Sequence, residues 1–392
     1  MSKKKIILYG ILTAVLSSAI IIGGLCFLLG LNFGRAANLA RFFCAMHFVE
    51  THYVENVDYN NLVDGAISGM INSLGDPHSL YLNSKLYSQI KSDTSGSFGG
   101  IGVYMGFKDG GVQVMSVMPG SPGESAGLQA GDSIIAIDGK PVSDISPDEV
   151  ALKIRGEQGT NVDLLIHREG QEDKTYTITR NVITVKTVAN KMLNNNLGYI
   201  RISSFSDKTA EEFKEALKSL EIQNMKGFIL DLRENPGGVI TSCVEIARQI
   251  VPKGPIVSVI QRDGSKEVYS SDLEQTKYPI VVLMNHNSAS ASELLAGALQ
   301  DTKAATIVGT KSYGKGSVQT VMPMFHEDGL KLTIAKYYTP NDRSIDGVGI
   351  EPDITVESSK PLHRSLNVET NPEDDVQLSK AIDVLSTMTT QN

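Results

Sequence analysis

The chain has 392 residues and a formal net charge of −8; 41% of its residues are hydrophobic and 20% are charged. This balance is typical of a globular protein of about two or three domains and excludes a disordered chain. The acidic charge, the absence of tryptophan and the lack of a basic patch with interleaved aromatic residues exclude nucleic acid as a partner.

The N-terminus carries a candidate membrane anchor. Residues 6–34 are uncharged and apolar, and Lys3, Lys4 and Lys5 precede them. Residues 1–34 are therefore expected to form a cytoplasmic start and one transmembrane helix in the cell membrane, with the rest of the chain extracytoplasmic. A cleaved signal peptide is the alternative, but the apolar run exceeds an ordinary signal core and no clear small-x-small cleavage site closes it.

Residues 35–91 are expected to be helical. Apolar residues recur at helical spacing over residues 38–53 and 60–74, and glycine followed by proline at Gly75 and Pro77 ends the second helix. Cys44 lies in the first helix and Cys243 in a later apolar helical pattern, so both are expected to be reduced packing residues without a disulfide.

Residues 92–178 are expected to form a small β-rich barrel with helices. Strands are predicted at 111–117, 133–137 and 161–167, and a polar helix at 147–154. The pattern Ala126-Gly127-Leu128-x-x-Gly131-Asp132, followed by Gly139 and Val142, resembles a PDZ domain. The resemblance makes Gly100, Ile101, Gly102 and Val103 the carboxylate-binding loop, with Ile101 and Val103 near an apolar pocket for the C-terminus of a peptide.

The chemistry of that loop is consistent with the resemblance. Its glycines let backbone N–H groups converge on a carboxylate, while the adjoining strand edge accepts a peptide as an added strand. A dinucleotide-binding loop is a weaker interpretation, because the third glycine is misplaced and no long helix follows. Arg155 ends the polar helix. It either complements the helix C-terminus or, as in related processing proteases, senses the peptide and couples PDZ occupancy to activity.

Residues 179–360 alternate strand and helix, as in an α/β layer. Strands are predicted at 197–202, 227–232 and 279–284, and helices at 207–220 and 239–251. The turn Pro236-Gly237-Gly238 precedes a helix and exposes backbone N–H groups where an oxyanion could bind. As an ordinary strand-to-helix turn it would be equally acceptable.

Ser290 and Lys315 are the candidate reacting pair. A serine hydroxyl needs a base, and lysine can serve if burial lowers the pKa of its amine. Lys315 lies between Gly314 and Gly316, and Ser290 opens an apolar helix. Because Glu293 has capping-box spacing from it, Ser290 could instead be only a helix cap, and Ser288 and Ser292 are equally possible nucleophiles by composition.

The whole segment resembles the carboxyl-terminal processing peptidases, serine/lysine proteases with a ClpP/crotonase-like α/β core. The resemblance rests on the following blocks: Leu74-Gly75-Asp76-Pro77-His78-Ser79, Asp231-Leu232-Arg233-x-Asn235-Pro236-Gly237-Gly238, Ser288-Ala289-Ser290-Ala291-Ser292-Glu293, Gly314-Lys315-Gly316-x-x-Gln319 and Arg343-Ser344-Ile345-Asp346-Gly347. Their order and spacing along the chain are specific to that family.

The resemblance also implies the roles of individual residues. Ser290 is the nucleophile, Lys315 the general base and Gln319 the group that orients the lysine amine. The amides of Ala291 and of Gly237 or Gly238 form the oxyanion hole. Glu293 and Asp301 support the site.

His286 is the rival base, since geometry and not sequence order defines such sites. No metal or other cofactor is expected, because the histidines lack metal-ligand spacing and no nucleotide-binding loop is present. The expected partners are protein or peptide substrates with exposed C-termini.

The tail, residues 361–392, carries an apolar stripe at Val376, Leu378, Ala381, Ile382 and Leu385. By analogy with related proteases, the stripe and residues 38–74 are expected to form a homodimer, although packing of the stripe on the chain's own core is the alternative. Two other functions compete with a protease: a catalytically silent PDZ adaptor at the membrane, and an acyl-group enzyme of the crotonase type.

Overall fold

The computed structural model describes residues 33–108, 111–144, 147–358 and 374–390. The chain divides into two units, one ending at Tyr81 and the other beginning at Leu82. The first unit contains helices α1 (Phe33–His52) and α2 (Tyr59–Asn72), close to their predicted positions. Asp58 caps α2, because its carboxylate accepts a hydrogen bond from the Asn60 amide at 2.8 Å. The short strand β1 (Leu80–Leu82) follows α2 in the chain.

The expected transmembrane helix requires a correction. Within the described ranges, no helix combines the length and the apolar character needed to cross a membrane. The first described helix, α1, carries Arg35, Arg41 and Glu50, charges that hydrocarbon would leave unsolvated. Most of the expected span lies in residues 1–32, outside the described residues. The expectation of a single-pass anchor, and the location of the chain that followed from it, are therefore not supported.

The first helix and the first complete strand of the second unit are α3 (Ser84–Ser95) and β2 (Ser97–Gly100). A β-rich portion follows, with the elements β3 (Val103–Lys108), β4 (Gly111–Val117), α4 (Pro122–Ser125), β5 (Ser133–Ile137), β6 (Lys140–Pro141), α5 (Pro147–Ile154), β7 (Asn161–His167) and β8 (Lys174–Thr179). Its strands lie in the order β3-β4-β5-β7-β8, and β6 pairs with β5. Alternate apolar residues of these strands form one core.

Strand β9 (Asn181–Thr184) pairs with β2 and leads to the main sheet of the second unit. The strands of the main sheet are β10 (Val188–Met192), β11 (Leu197–Ile202), β12 (Gly227–Asp231), β15 (Ile280–Met284), β16 (Ala305–Gly309) and β19 (Ile354–Thr355). They lie in the order β10-β11-β12-β15-β16-β19. The four central strands are parallel, and β10 is antiparallel at one edge. Every residue of β11, β12 and β15 is buried, as expected of a parallel sheet covered on both faces.

Helices cover the two faces of this sheet. On one face, α6 (Thr209–Ile222), α7 (Ile240–Ile250) and α8 (Ala291–Asp301) bury a large apolar core. On the other face lies α9 (Val376–Thr390). Leu378, Ala381 and Leu385 of α9 are at most 1% exposed and pack against the sheet. The C-terminal stripe therefore packs on the chain's own core, which was the alternative to a dimer contact.

A second, antiparallel layer lies beside α8. It contains β13 (Gly254–Gln261), β14 (Lys266–Ser271), β17 (Ser317–Pro323) and β18 (Gly329–Tyr338). Strand β18 pairs with β17 on one side and with β13 on the other, and β13 pairs with β14. The hairpin of β17 and β18 directly follows the loop that carries Lys315.

Candidate active site

Three loops meet at the carboxyl edge of the main sheet. Strands β12, β15 and β16 are parallel neighbours, so the segments that follow them emerge at the same edge. These segments contain Gly237 and Gly238 after β12, Ser290 after β15 and Lys315 after β16. Ligand sites of open α/β sheets lie at this edge. The topology therefore brings together residues that are distant in sequence.

Ser290 has an unusual backbone conformation. Its φ is 53° and its ψ is −116°, a region that residues other than glycine rarely adopt and that costs of order 1–3 kcal/mol. Helix α8 begins at the next residue, and the serine is half-buried. A strained serine on a strand-to-helix turn is the backbone arrangement expected of a nucleophile.

The two neighbouring serines have structural roles instead. The buried Ser288 hydroxyl donates to the Leu232 carbonyl at 2.8 Å and accepts from the Asn285 amide at 2.9 Å. The buried Ser292 hydroxyl donates to the Asn235 carbonyl at 3.0 Å. Because both hydroxyls are buried and hydrogen-bonded, Ser290 is the serine of this loop that a substrate can reach.

Glu293 links the serine loop to the lysine loop. Its side chain is fully buried. One oxygen accepts the amide N–H of Ser290 and that of Lys315, each at 2.8 Å. The other accepts the Gly314 amide at 2.6 Å and the Ser312 hydroxyl at 2.5 Å. A single carboxylate thus fixes the backbone of both candidate catalytic residues, where a helix cap was the simpler expectation.

The turn that contains Gly237 and Gly238 lies against the serine. Both glycines have positive φ, and a Cβ at Gly237 would lie 2.8 Å from the Ser290 Cβ and 2.9 Å from the Ala291 nitrogen. The Gly237 N–H donates to Asn235 Oδ1 at 2.9 Å. The amide of Gly237 is therefore already used, which leaves Gly238 as the donor that the turn can offer.

Asn235 was not singled out from the sequence, although it holds this turn in place. Its side chain is fully buried, and its Nδ2 donates to the Ile202 carbonyl at 2.9 Å. Its backbone carbonyl accepts from the Ala289 amide at 3.0 Å. A buried asparagine with every polar group committed is a rigid support. Its membership of the Asp231–Gly238 block was the available signal.

The lysine loop packs tightly because of its glycines. A Cβ at Gly316 would lie 2.4 Å from the Asp346 amide nitrogen, and the Gly347 amide donates to the Gly314 carbonyl at 2.8 Å. Lys315 itself is half-buried. This close approach explains why the loop needs glycine on both sides of the lysine.

Gln319 lies on β17, close along the chain to Lys315. Its Nε2 donates to the Ser317 hydroxyl at 2.8 Å and to the Thr333 hydroxyl at 3.1 Å. With its amide nitrogen held in this way, the amide oxygen is the acceptor that the side chain can offer to an amine. Thr333 was not identified from the sequence, because β18 lies beyond the motif.

Asp301 lies at the other end of α8 from Ser290. Its carboxylate accepts from the Asn341 amide at 2.9 Å and pairs with the Arg343 guanidinium. It thereby fixes the turn that precedes the 344–350 segment, which packs on the lysine loop. Its contacts are those of a supporting residue.

A buried charge network lies at the end of β12, just before the Pro236-Gly237-Gly238 turn. The carboxylate of Asp231 pairs with Arg233 at 2.7 Å and with Arg201 at 3.2 Å, and it accepts from the Tyr199 hydroxyl at 2.6 Å. Burial by itself raises the pKa of Asp231, but the charge of Arg233, its hydrogen bonds and the charge of Arg201 together hold that pKa at about 2. Burial and the Asp231 charge raise the pKa of Tyr199. The aspartate therefore stays ionised at neutral pH.

The predicted carboxylate-binding loop is closed by backbone hydrogen bonds. The Ile101 carbonyl accepts from Gly123 at 2.7 Å and the Gly102 carbonyl accepts from Met118 at 2.9 Å, while Gly102 has a φ of 74°. Ile101 is 1% exposed, and Val103 packs against the same core. The Arg155 guanidinium lies 4.3 Å above the Phe98 ring, a cation–π contact with the strand that leads to Gly100.

His286 is exposed on the loop before Ser290. In the parts of the chain that the structure describes, no group of histidine, cysteine, aspartate and glutamate side chains could hold a metal ion.

Known proteins resemble the chain over most of its length. Residues 196–356 match peptidase family S41, residues 113–168 match the PDZ domain, and residues 32–86 match the N-terminal domain of the activating protease CtpB. The carboxy-terminal processing protease CtpB of Bacillus subtilis is 39% identical over 343 residues, which cover 84% of this chain and 72% of the relative. The carboxy-terminal-processing protease of Bartonella bacilliformis is 40% identical over 332 residues, covering 82% and 76%.

One solved structure supports the fold. A structure assigned to the S41 proteases, from Bacteroides fragilis, has a TM-score of 0.50 and 18% identity, and the match covers 86% of this chain and 93% of that one. At this level of identity the likeness concerns the fold alone. It agrees with the predicted combination of a PDZ domain and an α/β protease core.

Proposed function

The chain belongs to peptidase family S41, as a carboxy-terminal processing serine protease with a PDZ domain, and on that basis we propose that Ser290 is its nucleophile and Lys315 its general base. The observation that carries the proposal is the Glu293 carboxylate, one oxygen of which holds the amides of both residues at 2.8 Å. Two loops fixed by one buried group keep nucleophile and base in register, as catalysis by a positioned pair requires.

The reaction follows from these roles. The neutral amine of Lys315 takes the proton of the Ser290 hydroxyl, and the serine oxygen attacks the peptide carbonyl. The lysine ammonium then gives this proton to the leaving amine as the C–N bond breaks and the acyl-enzyme forms. Water, deprotonated by the same lysine, hydrolyses the ester and restores the serine. Arginine could not replace the lysine, since a guanidinium does not deprotonate in proteins.

Gln319 orients the base in this scheme. Its Nε2 donates to Ser317 and Thr333, so its Oε1 is left as the acceptor for the lysine amine. The amides of Gly238 and Ala291 bind the oxyanion, because the Gly237 amide already donates to Asn235. The carboxylate of Glu293 and that of Asp301 support the two loops from behind.

Selection of the substrate is assigned to the PDZ domain. The Gly100-Ile101-Gly102-Val103 loop binds the free C-terminus of a protein or peptide, and β3 accepts its last residues as an added strand. Arg155, stacked on Phe98, joins this loop to the end of α5. Because no nucleotide is consumed, the substrates are exposed or loosely folded tails.

A homodimer remains part of the proposal, but on the N-terminal helices alone. Apolar side chains of α1 are exposed, among them Phe43 at 55% and Phe48 at 61%, whereas the α9 stripe is buried in its own core. Light scattering of the full-length protein at micromolar concentration tests this, and a monomeric mass would rule it out.

The catalytic assignment is tested with matched peptides that end in small apolar residues, as free acids and as amides. The full-length protein is expected to cleave the free acid, and Ser290→Ala and Lys315→Ala are expected to abolish cleavage. His286→Ala is the matched control and should keep measurable activity, since His286 lies exposed outside the contacts of Glu293.

Loss of activity in His286→Ala with retention in Lys315→Ala would reverse the assignment of the base. If no peptide is cleaved while the free acid still binds, a PDZ adaptor becomes the better description. Equal cleavage of acid and amide would separate the PDZ loop from selectivity.

A further inference from the structure

The β17–β18 hairpin carries a lysine that the proposed mechanism does not use. Lys331 of β18 is paired with Val321, and Thr333 of the same strand is paired with Gln319. Because side chains alternate along a strand, Lys331 and Thr333 point to the same face of the hairpin. Gln319 donates to Thr333 on that face. Lys331 therefore lies on the face of the hairpin that carries the proposed orienting glutamine.

This face points into the protein. Ala335 and Tyr337, which continue the alternation from Lys331 and Thr333, are 6% and 5% exposed and belong to the main core. Ile334, on the opposite face, is 41% exposed. Lys331 and Thr333 themselves are half-buried, so the amine of Lys331 is partly withdrawn from water, which solvates it better than protein does.

Among the described residues, Lys331 has no carboxylate partner, although several other lysines form ion pairs there. On the same strand, Lys336 pairs with Asp346 at 2.9 Å. The nearest acid along the chain, Asp328, accepts from the His326 amide at 3.1 Å. Burial lowers the pKa of the Lys331 amine. An amine withdrawn from water without a counter-ion is costly, unless a ligand brings the counter-ion.

The hairpin that carries Lys331 is held in place. The Ser84 hydroxyl at the start of α3 donates to the His326 carbonyl at 3.2 Å. A Cβ at Gly329 would lie 2.9 Å from the Tyr87 ring, so α3 packs closely on the base of β18. A charge on such a rigid element can recognise a group at a fixed distance from the reacting atoms.

We propose that Lys331 binds a carboxylate of the peptide substrate and so creates a preference for an acidic group at one position near the scissile bond. The inference rests on the proposed function of the neighbouring site. Thr333 and Lys331 are separated along the strand by about 7 Å, which is about two residues of an extended peptide. The carboxylate is either an aspartate or glutamate side chain or the terminal carboxylate of a short tail.

The test uses peptides that carry glutamate or glutamine at each position around the scissile bond, each as free acid and as amide. For the full-length protein, kcat/KM is expected to favour the carboxylate at one position on the order of tenfold, the effect of a hydrogen bond to a charged group. Lys331→Gln should remove that preference, and Lys331→Arg should retain part of it. Lys218→Gln, at an exposed position of α6, is the matched control and should change nothing.

The pattern of loss identifies the source. A glutamate preference that Lys331→Gln removes assigns a side chain, and a free-acid preference that it removes assigns the terminal carboxylate. A free-acid preference that persists in Lys331→Gln belongs to the PDZ loop. The proposal is wrong if the only carboxylate preference of the wild type is one that Lys331→Gln retains. It is also wrong if Lys331→Gln lowers kcat/KM equally for every peptide.

Two further measurements keep the outcome clear. If Lys331→Gln does not fold, the wild-type panel and Lys331→Arg decide. Binding of the same peptides to Ser290→Ala, measured by fluorescence anisotropy, tests the carboxylate preference without cleavage. Failure of the proposed function would instead appear as cleavage that persists in Ser290→Ala.

Discussion

Glu293 is the residue on which the geometry of the candidate site depends. Its side chain is buried, and four donors surround it: the amides of Ser290, Gly314 and Lys315 and the hydroxyl of Ser312. A capping-box glutamate ordinarily satisfies its own helix. Here the same carboxylate also fixes the loop after the next strand, so a local helix signal has a function beyond the helix.

Replacement of this carboxylate should therefore affect catalysis more than binding. In Glu293→Gln, the amide nitrogen cannot accept, so two of the four donors lose their partner and the loops shift. We expect kcat to fall about a hundredfold, as for misplacement by about 1 Å, with KM little changed. Steady-state kinetics with circular dichroism as a folding check measure this. Unchanged kcat in a folded variant would show that the loops do not depend on Glu293.

Asp231 should make stability depend on acid pH. Its pKa is held at about 2, below its ordinary value of 3.8, so its ion pairs stabilise the fold fully above about pH 4 and lose that effect as pH falls through the folded pKa. We expect the urea midpoint to fall between about pH 4 and pH 2. Asp231→Asn should be less stable at neutral pH and less sensitive to acid over this interval. Equal acid sensitivity of the two proteins would contradict this.

At the scale of elements, the C-terminal helix is an integral part of the protease core. Asp375 precedes α9, and its carboxylate accepts from the Leu378 amide at 3.0 Å and pairs with Arg233 at 2.8 Å. Arg233 follows β12, shortly before the Pro236-Gly237-Gly238 turn. One aspartate thus caps the last helix and joins it to the strand that delivers Gly238.

Removal of this aspartate should destabilise the whole core. Asp375→Ala leaves the buried Arg233 short of one partner, and breaking a buried pair costs about 3–5 kcal/mol. Asp383→Ala, on the exposed side of the same helix, is the control and should change the free energy of unfolding by less than about 0.5 kcal/mol. Urea unfolding followed by circular dichroism compares them. Equal stability of the two variants would mean that α9 is held by its apolar stripe alone.

At the scale of the second unit, we assign peptide selection to the PDZ domain and catalysis to the protease core. The two parts are connected by backbone hydrogen bonds. Strand β2 pairs with β9, the strand that leads into the protease core, and β2 ends at the loop proposed to bind the carboxylate. The Thr94 carbonyl accepts from the Asp207 amide at 2.9 Å, which adds a second connection. Because the loop at residues 100–103 and the reacting residues lie in different elements, a change confined to the loop is expected to alter selection and leave the reacting groups intact.

Gly102 offers a way to separate the two parts. Its φ is positive and a Cβ would lie 2.3 Å from the Ser121 Cβ, so Gly102→Ala should distort the loop. We expect the preference for free acid over amide to disappear, while Ser290-dependent cleavage of the amide continues. Gly120→Ala is the matched control, because its φ is also positive but the space around it is open. If Gly102→Ala keeps the preference, the loop does not bind the terminal carboxylate.

The sequence by itself determined the family, the PDZ and α/β elements and the candidates Ser290, Lys315 and Gln319, because these depend on local motifs and on the period of apolar residues. The membrane anchor predicted from the sequence is not supported by the described helices. The sequence also left open whether the apolar stripe of α9 packs on the chain's own core or on a second copy. Only the tertiary structure decided that Glu293 joins two loops, that Asp375 pairs with Arg233 and that Lys331 lies half-buried without a carboxylate partner among the described residues. The first two are contacts between groups far apart in sequence, and the third depends on how the β17–β18 hairpin packs. Strand order and packing fix such arrangements, and no local pattern encodes them.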